Sequence, residues 1–572
     1  MIPQLFVFAL IWSTGTTTTL PGREKFDVWL RKKLPIINVD FPEDKLVYDY
    51  AFDRPNKRWI SWFETVGDYQ VDTKMSYNEI VVPTLDSIRM KHLTARILTS
   101  GKHVLIPGPT GTGKSVNTTE MLTYELPEEY QALTMTFSAQ TSANQTQDYL
   151  DDKFEKRRKG VYGPPVGKKF VIFVDDLNMP KKEEYGAQPP LELLRQFLDH
   201  AGWYDRKSKE KPFNKIEDIV FVSAMGPPGG GRSVITDRLQ RHFNVLTYTD
   251  LQFESILTIF TSIINAFLYS FAAEIKAAIT PLVEATLHVY DSVLNGPLKP
   301  TPNKSHYTFN LRDISRIAQG VCLADRRGCI EPVHLVRLWV HENKRVFGDR
   351  LIDDVDRNWL DNVLAKESAK TFKLEQAEVF NAKRLVYGDY MDGIDVDSRI
   401  YRQITDLDVL VNKVIEYLDE YNSSVKNQMK LVMFLDACDH VSRISRVVRQ
   451  PLGNALLLGV GGSGRQSLSR LATFMANYKL FQVEVIKGYG MQNWRDDVKR
   501  ALMQAGVDNK ATSFLFVDTQ IVNEQMLEDI NNILNSGDVP SLYKNEDFEP
   551  IFKIGKVLCM EKNLQVSKMN MF

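Results

Sequence analysis

Uninterrupted runs of apolar residues are the clearest pattern along the chain. Three runs of three to five residues lie in the first half, at Val104 to Ile106, Phe170 to Val174 and Ile219 to Val222. Strands at the centre of a parallel sheet are covered on both faces, so such runs indicate buried parallel strands. A similar pair, Ala455 to Leu458 and Phe514 to Val517, recurs much later. The pattern therefore predicts an α/β fold that is present twice.

The apolar spacing becomes helical between Leu251 and Phe347. Within this stretch apolar side chains recur every four residues, at Ile259, Ile263, Phe267 and Phe271. That spacing places them on one face of a helix. The stretch predicts a helical subdomain that follows the first sheet.

The apolar run from Leu5 to Trp12 could also belong to a signal peptide. However, no Lys or Arg precedes it and polar residues follow from Ser13 to Thr19. The run is also shorter than the roughly 20 residues that a bilayer span needs. A buried helix or strand is therefore favoured, and no membrane span is expected elsewhere.

The composition is that of an ordinary soluble protein. The chain has 572 residues, of which 43% are hydrophobic and 25% charged, and 71 Lys plus Arg against 72 Asp plus Glu leave a net charge of −1. The length allows several domains, and the balanced charge gives no bulk attraction for nucleic acid or an acidic membrane. The 4 cysteines form no metal-like pairs, so a reducing compartment is expected.

One glycine-rich segment fits the phosphate-loop pattern G-x-x-x-x-G-K-[ST] at every fixed position. Its residues are Gly108, Pro109, Thr110, Gly111, Thr112, Gly113, Lys114 and Ser115. A strand before such a loop and a helix after it let backbone N–H groups cradle phosphates. The Lys then reaches the β and γ phosphates, and the hydroxyl binds Mg²⁺. The segment predicts binding of ATP or ADP with Mg²⁺, and a chance glycine-rich turn is the alternative.

A phosphate loop needs a second strand that brings a carboxylate to the metal. Phe170 to Val174 is such a strand, and it is followed by Asp175 and Asp176. Asp175 is expected to bind Mg²⁺. Asp176 stands where many P-loop ATPases have a Glu that polarises the attacking water, and it is the candidate for that role. A plain turn after a strand is the alternative interpretation.

A second glycine-rich loop departs from the pattern. It follows Ala455 to Leu458, and its candidate nucleotide-binding residues are Gly459, Gly461, Gly462, Ser463, Gly464, Arg465, Gln466 and Ser467. Arg465 replaces the Lys, and its forked guanidinium does not reproduce the Lys geometry. Thr519, after Asp518 in the matching second strand, is a neutral hydroxyl and cannot act as a base. The second site is therefore expected to be degenerate.

Three arginines are candidates for contacting a γ-phosphate. Arg238 and Arg241 are three residues apart on one face of a short helix, and they suit an arginine finger into a neighbouring module. Arg312 stands at a helix start in the helical stretch and could reach back from it. Solvated arginines on helix surfaces are the alternative for all three.

Five phrases together resemble the axonemal (ciliary) dynein heavy chains. They are Gly108 to Ser115, Phe137 to Thr146, Val174 to Pro180, Ala224 to Arg232 and Gly459 to Ser467. The resemblance implies tandem P-loop AAA+ modules of a motor ring, each with a parallel sheet flanked by helices, and a helical lid subdomain. It covers nearly the whole chain and weakens after about Phe548.

The resemblance also implies a division of the chain. Residues 1–60 resemble the tail of the second module and a linker, and residues 61–250 the large α/β subdomain of the third module. Residues 251–425 resemble its helical lid and linker, and residues 426–572 an incomplete large subdomain of the fourth module with a divergent C-terminal end. No heptad pattern of stalk length is present. The ending from Ile551 to Phe572 does not resemble the family, so a truncated product or an incomplete gene model is expected.

By position, the resemblance implies a regulatory site in the third module that binds Mg-ATP and hydrolyses it slowly. Asp176 and Gly226 stand where wider members of the family often have Glu and Asn, which makes binding a firmer expectation than rapid turnover. A nucleotide-stabilised structural or assembly module without turnover is the competing hypothesis. An unrelated P-loop kinase or transporter ATPase does not suit two tandem units with helical lids.

Partners and location are implied by the same resemblance. The expected partners are the remaining AAA+ modules of the same heavy chain. Through the full-length motor, dynein intermediate and light chains and microtubules are expected as well. The expected location is the cytoplasm, the cytoskeleton and the axoneme of the cilium, with no nucleic acid and no membrane as partner.

Overall fold

The structure, a computed structural model, describes residues 1–65, 69–72, 75–229, 231–382, 384–395, 399–540, 542–561, 566 and 571. Gly230, which belongs to the phrase from Ala224 to Arg232, lies outside the described residues. The chain forms two compact units. The first comprises Met1–Gln70, Val81–Ile256 and Leu527–Ser541, and the second comprises Val71–Ile80, Leu257–Met526 and Leu542–Phe572.

The first unit contains seven helices among its described residues before Ile256. They are α1 (Ile2–Ser13), α2 (Leu20–Arg31), α3 (Leu85–Thr99), α4 (Lys114–Tyr124), α5 (Ala143–Asp151), α6 (Pro189–His200) and α7 (Asp237–Gln240). Its strands are β1 (Tyr50–Asp53), β2 (Arg58–Ser61), β3 (His103–Pro107), β4 (Tyr130–Thr136), β5 (Glu155–Arg158), β6 (Val161–Gly163), β7 (Lys169–Asp175), β8 (Gly202–Tyr204), β9 (Phe213–Ile216), β10 (Ile219–Met225) and β11 (Phe243–Val245).

A five-stranded parallel sheet is the centre of the first unit. Its strand order is β11-β3-β10-β7-β4, so β10 lies between β3 and β7. Five consecutive side chains of β7 are buried, from Phe170 to Val174, as expected for a strand that is covered on both faces. The three buried strands that the apolar runs predict in the first half of the chain are thus confirmed as β3, β7 and β10.

The N-terminal apolar run forms α1 and is buried on one face, which agrees with the favoured interpretation as a helix that packs into the protein. Val7, Ile11 and Trp12 enter a hydrophobic core that also contains residues of β3, β7 and β10. The Trp12 ring meets Tyr48 edge-on, with 5.7 Å between centroids. Packing against the rest of the first unit therefore accounts for this run. No helix in the described part of the chain is long and apolar enough to cross a membrane.

Two smaller sheets complete the first unit. Strands β1 and β2 form an antiparallel pair, and β5, β6, β9 and β8 form a four-stranded mixed sheet in that order. Trp203 of β8 is almost fully buried and donates a hydrogen bond to Asp151 at 2.9 Å, which ties this sheet to α5.

The second unit is mainly helical. Its helices and those at its boundaries are α8 (Phe253–Phe267), α9 (Ala273–Ala277), α10 (Ile279–Asn295), α11 (Leu311–Val321), α12 (Pro332–Val346), α13 (Asp354–Phe372), α14 (Gln376–Val379), α15 (Leu407–Ser424), α16 (Leu435–Arg449), α17 (Arg465–Met475), α18 (Met491–Gly506), α19 (Gln525–Ser536) and α20 (Phe548–Glu561). Its strands are β12 (Val386–Gly388), β13 (Arg402–Ile404), β14 (Lys479–Gln482) and β15 (Thr512–Leu515). The helical region predicted from Leu251 to Phe347 is confirmed.

Buried polar contacts hold the helices of the second unit in place. Trp339 of α12 donates a hydrogen bond to Thr286 of α10 at 2.8 Å, and both residues are buried. Arg446 of α16 forms an ion pair with Glu342 of α12, and Tyr401 donates a hydrogen bond to the same carboxylate at 2.9 Å. These contacts join the helical region to the segment that precedes the second glycine loop.

The prediction of a strand at Ala455 to Leu458 is wrong. These residues have no regular structure, and the side chains of Leu456 and Leu458 are 85% and 81% exposed. In the described part of the second unit, β14 and β15 form the only parallel pair of strands. No described strand pairs with Ala455 to Leu458, so the apolar run has neither the backbone partners nor the cover that a central strand requires.

Candidate functional site

The first glycine loop joins the end of β3 to the start of α4. Gly111 and Gly113 have φ angles of 85° and 79°, a left-handed conformation that glycine adopts without steric cost. The helix then begins at Lys114, so the first N–H groups of α4 face the loop. A helix N-terminus behind such a turn is suited to bind phosphate.

Gly108 is required by close packing. A Cβ atom at this position would lie 2.7 Å from the carbonyl oxygen of Tyr248, which is too close for any other residue. The Gly108 amide also donates a hydrogen bond to the Met225 carbonyl at 3.2 Å. These contacts fix the beginning of the loop against the end of β10.

Lys114 is buried, and its ammonium group folds back over the loop. Its Nζ donates hydrogen bonds to the carbonyl oxygens of Gly108 at 2.8 Å and Pro109 at 2.5 Å. The cation therefore lies where a phosphate bound in the loop would need it.

Ser115 and Asp175 meet directly. The Ser115 hydroxyl donates a hydrogen bond to Asp175 Oδ2 at 2.5 Å, although the two residues are 60 positions apart in the sequence. Burial raises the pKa of the Asp175 carboxyl above its usual range, and the hydrogen bond from Ser115 opposes that shift. A carboxylate beside a hydroxyl is a donor set that fits Mg²⁺, which binds oxygen ligands.

Asp176 follows β7 in a left-handed conformation, with φ of 51°. Its backbone N–H donates to Asp175 Oδ1 at 2.9 Å, and its carboxylate contacts Arg232 Nη2 at 3.4 Å. The sequence alone did not identify Arg232 as a partner of the Asp176 carboxylate. Its only signal in the sequence was its position at the end of a glycine-rich phrase beyond β10.

The three candidate arginines do not join these contacts. Arg238 is exposed on α7, and Arg241 is exposed and forms an ion pair with Asp199 at 2.7 Å. Arg312 is exposed in the first turn of α11 in the second unit, where the Asn310 side chain caps the helix. Their proposed contacts with a γ-phosphate stay predictions.

The second glycine loop repeats only part of the geometry. Gly462 and Gly464 have φ angles of 79° and 77°, and α17 begins at Arg465, as α4 begins at Lys114. Among the described residues, however, neither Arg465 nor Ser467 forms a hydrogen bond with Asp518, which starts an exposed turn after β15. The described part of the chain also holds no cluster of three or more His, Cys, Asp or Glu side chains that could bind a different metal.

A parallel sheet, a phosphate loop between β3 and α4 and a carboxylate at the end of β7 define P-loop modules of the AAA+ class. The family model described as "P-loop containing dynein motor region" matches residues 69–251, and that of motor region D4 matches residues 429–572. An AAA+ lid domain model matches residues 282–382, and a dynein heavy chain AAA lid domain model matches residues 1–64. The D4 match extends to residue 572, beyond Phe548, where the resemblance was expected to weaken.

Curated relatives agree with these matches. The chain is 46% identical over 602 aligned residues to dynein axonemal heavy chain 1 of Homo sapiens, and 42% identical over 574 residues to dynein axonemal heavy chain 3 of Mus musculus. These alignments include 100% and 95% of this chain. The chain belongs to the axonemal dynein heavy chain family. It spans 14% of the length of each of these two relatives.

Proposed function

We propose that the chain is an ATP-binding portion of the motor ring of an axonemal dynein heavy chain. The first glycine loop binds Mg-ATP in the third module and hydrolyses it slowly, as a regulatory site. The direct contact between Ser115 and Asp175, beside the buried Lys114, is the observation that carries this proposal.

The proposed division assigns residues 1–60 to the preceding module and a linker, and residues 61–250 to the large subdomain of the third module. Residues 251–425 form its lid and linker, and residues 426–572 belong to the fourth module. The four family matches begin and end near most of these boundaries, which supports the division.

Different residues at the first loop bind different parts of Mg-ATP. The backbone N–H groups of Gly111 to Ser115 receive the phosphates, and the Lys114 ammonium moves from the loop carbonyls to the β and γ oxygens. Ser115 and Asp175 hold Mg²⁺, which, when bound, neutralises charge on the phosphates. Asp176 orients the attacking water. Asp is one methylene shorter than the Glu of many P-loop ATPases, which supports slow hydrolysis.

The other candidate residues have supporting roles in this proposal. Arg238 or Arg241 serves the site of the preceding module, and Arg312 approaches the γ-phosphate from the lid. The loop from Gly459 to Ser467 binds nucleotide structurally or leaves its site empty, which its exposure and altered Arg465 support. As part of a full-length heavy chain, the protein works with other AAA+ modules, intermediate and light chains and microtubules in the ciliary axoneme.

A Lys114→Ala variant tests nucleotide binding. Equilibrium binding of ATPγS with Mg²⁺ to the 572-residue chain should weaken at least about tenfold, because a charge-assisted contact with phosphate is lost. Lys209→Ala, which removes an exposed lysine of the same unit, is the matched control and should bind like the wild type. Equal affinity of the two variants would reject the first loop as the nucleotide site.

A nucleotide-stabilised structural module without turnover is the second candidate. It is favoured by one observation, the ion pair between Arg232 and Asp176, which occupies the carboxylate that would orient water. Steady-state ATPase activity separates the two candidates. If the first loop hydrolyses ATP slowly, Asp176→Asn should lower the ATPase rate about 10²–10⁴-fold, the usual contribution of a positioned base. Wild-type chain that binds ATPγS but shows no turnover would support the structural module.

A further inference from the structure

The space between the phosphate loop and Asp176 lies at the end of β10. In the sheet register Met225 of β10 is the partner of Pro107 at the end of β3, and Ser223 is the partner of Val174 in β7. The next residue, Gly226, therefore lies between the loop and the acidic turn. It has no side chain that could contact a phosphate there.

The side chain of Arg232 fills that space. A Cβ atom at Gly226 would lie 2.8 Å from Arg232 Nε, 2.9 Å from its Cδ and 3.1 Å from its Cζ. The guanidinium group thus covers the position at which a side chain of residue 226 would stand. A larger residue at this position would require the Arg232 side chain to shift.

The backbone holds Arg232 in this place. Gly229 and Arg232 exchange two backbone hydrogen bonds of 3.0 Å, which returns the chain towards β10. Asn178, just after the acidic turn, donates its side-chain N–H to the Gly226 carbonyl at 2.9 Å, and its backbone carbonyl accepts a hydrogen bond from the Ser233 amide at 3.0 Å. The residue that follows Arg232 is therefore tied to the turn that carries Asp176.

The guanidinium is not saturated by its present partner. Among the residues that the structure describes, its one ion pair runs from Nη2 to Asp176 Oδ1 and is long at 3.4 Å, and its buried Nε has no hydrogen-bond partner. The side chain is 24% exposed, so part of it is accessible to a ligand. An arginine has five N–H donors, and donors left unpaired in a partly buried site favour an anionic partner.

We propose that Arg232 is the residue of this module that contacts the γ-phosphate in place of a side chain at position 226. Without nucleotide, the guanidinium is held by Asp176. When ATP binds at the first loop, the γ-phosphate takes donors of Arg232, since a doubly charged phosphate attracts a guanidinium more strongly than one carboxylate does. The exchange releases Asp176 towards the attacking water. This proposal rests on the proposed binding of ATP at the first loop.

The test compares two nucleotides that differ only by the γ-position. ATPγS and ADP, each with Mg²⁺, are titrated against the 572-residue chain and its Arg232→Met variant. ATPγS affinity should fall about 10- to 100-fold, the range of a charge-assisted hydrogen bond, while ADP affinity stays within about twofold. Arg158→Met, which removes an exposed arginine paired with Glu217 in the same unit, should change neither affinity.

Two results would overturn the proposal. Equal loss of ATPγS and ADP binding would show that Arg232 only supports the fold, and unchanged ATPγS binding would show that it does not reach the γ-phosphate. If Arg232→Met does not fold, Arg232→Lys decides, because a single ammonium should retain ADP binding and lose part of the preference for ATPγS. Wild-type chain that binds neither nucleotide would instead refute the proposed function itself.

Discussion

His103 shows how one partly buried side chain links the phosphate-loop strand to its neighbours. It is the first residue of β3, and its ring lies near Phe221 of β10 and Phe243 of β11. Its Nδ1 accepts a hydrogen bond from the Phe221 amide at 3.0 Å, which requires this nitrogen to be unprotonated. Burial, with smaller contributions from His242 and Lys102, lowers the pKa of His103 from 6.5 to about 4.

This lowered pKa predicts that acid destabilises the first unit. Between pH 6.5 and about 4, the unfolded chain binds a proton at His103 and the folded chain does not, so the free energy of unfolding rises with pH across that window. The contribution of this residue is about 3 kcal/mol in total, at roughly 1.4 kcal/mol per pH unit. Urea titrations of the first unit at a series of pH values measure it.

A pair of variants isolates the effect of His103. His103→Asn offers a carbonyl oxygen to the Phe221 amide but has no group that titrates, so the slope between pH 4 and 6.5 should flatten. His200→Asn, at an exposed histidine at the end of α6, should keep the wild-type slope. If His103→Asn also kept the wild-type slope of unfolding free energy against pH, the acid sensitivity would belong to other groups.

At the same scale, the candidate site was only partly predictable. The loop and Asp175 could be identified because their residue types occur at fixed spacing after apolar runs. Arg232 could not, because its contact with Asp176 depends on how the chain turns back between Gly229 and Arg232. The packing of Gly108 against Tyr248, a residue from beyond β11, depends on tertiary structure in the same way.

At the scale of elements, apolar runs predict strands only where neighbouring strands exist. Strand β3 pairs with β10 on one side and β11 on the other, and Val104 to Ile106 are buried. The equally apolar Ala455 to Leu458 finds no described partner and stays irregular. Conversely, β5 is the charged segment Glu155–Arg158, which forms a strand because β6 pairs with it and Arg157 forms an ion pair with Asp218.

Hydrogen exchange should separate the strands that precede the two loops. Amides of Val104 to Ile106 should exchange at least about a thousandfold more slowly than those of Leu456 to Leu458, because only the former lie in a paired, buried strand. Peptides that cover Phe170 to Val174 in β7 provide an internal reference for protection. If the amides of Leu456 to Leu458 were protected as well as those of Val104 to Ile106, these residues would form a paired strand in solution.

At the scale of the molecule, the two loops lie in different units. Gly108 to Ser115 belongs to the first unit, and Gly459 to Ser467 belongs to the second. Only the first loop combines a buried Lys with a Ser–Asp contact, and we therefore expect nucleotide to stabilise one unit and not the other.

Thermal unfolding followed by calorimetry tests that expectation. The chain should unfold in two transitions, and Mg-ADP at about 100 times its dissociation constant should add about 2.7 kcal/mol to the unit that binds it. For a unit of this size that raises the midpoint of one transition by roughly 5–10 °C and leaves the other in place. Lys114→Ala should abolish the shift, while Arg465→Ala should leave it unchanged. A shift that survives Lys114→Ala and disappears in Arg465→Ala would move the nucleotide site to the second loop.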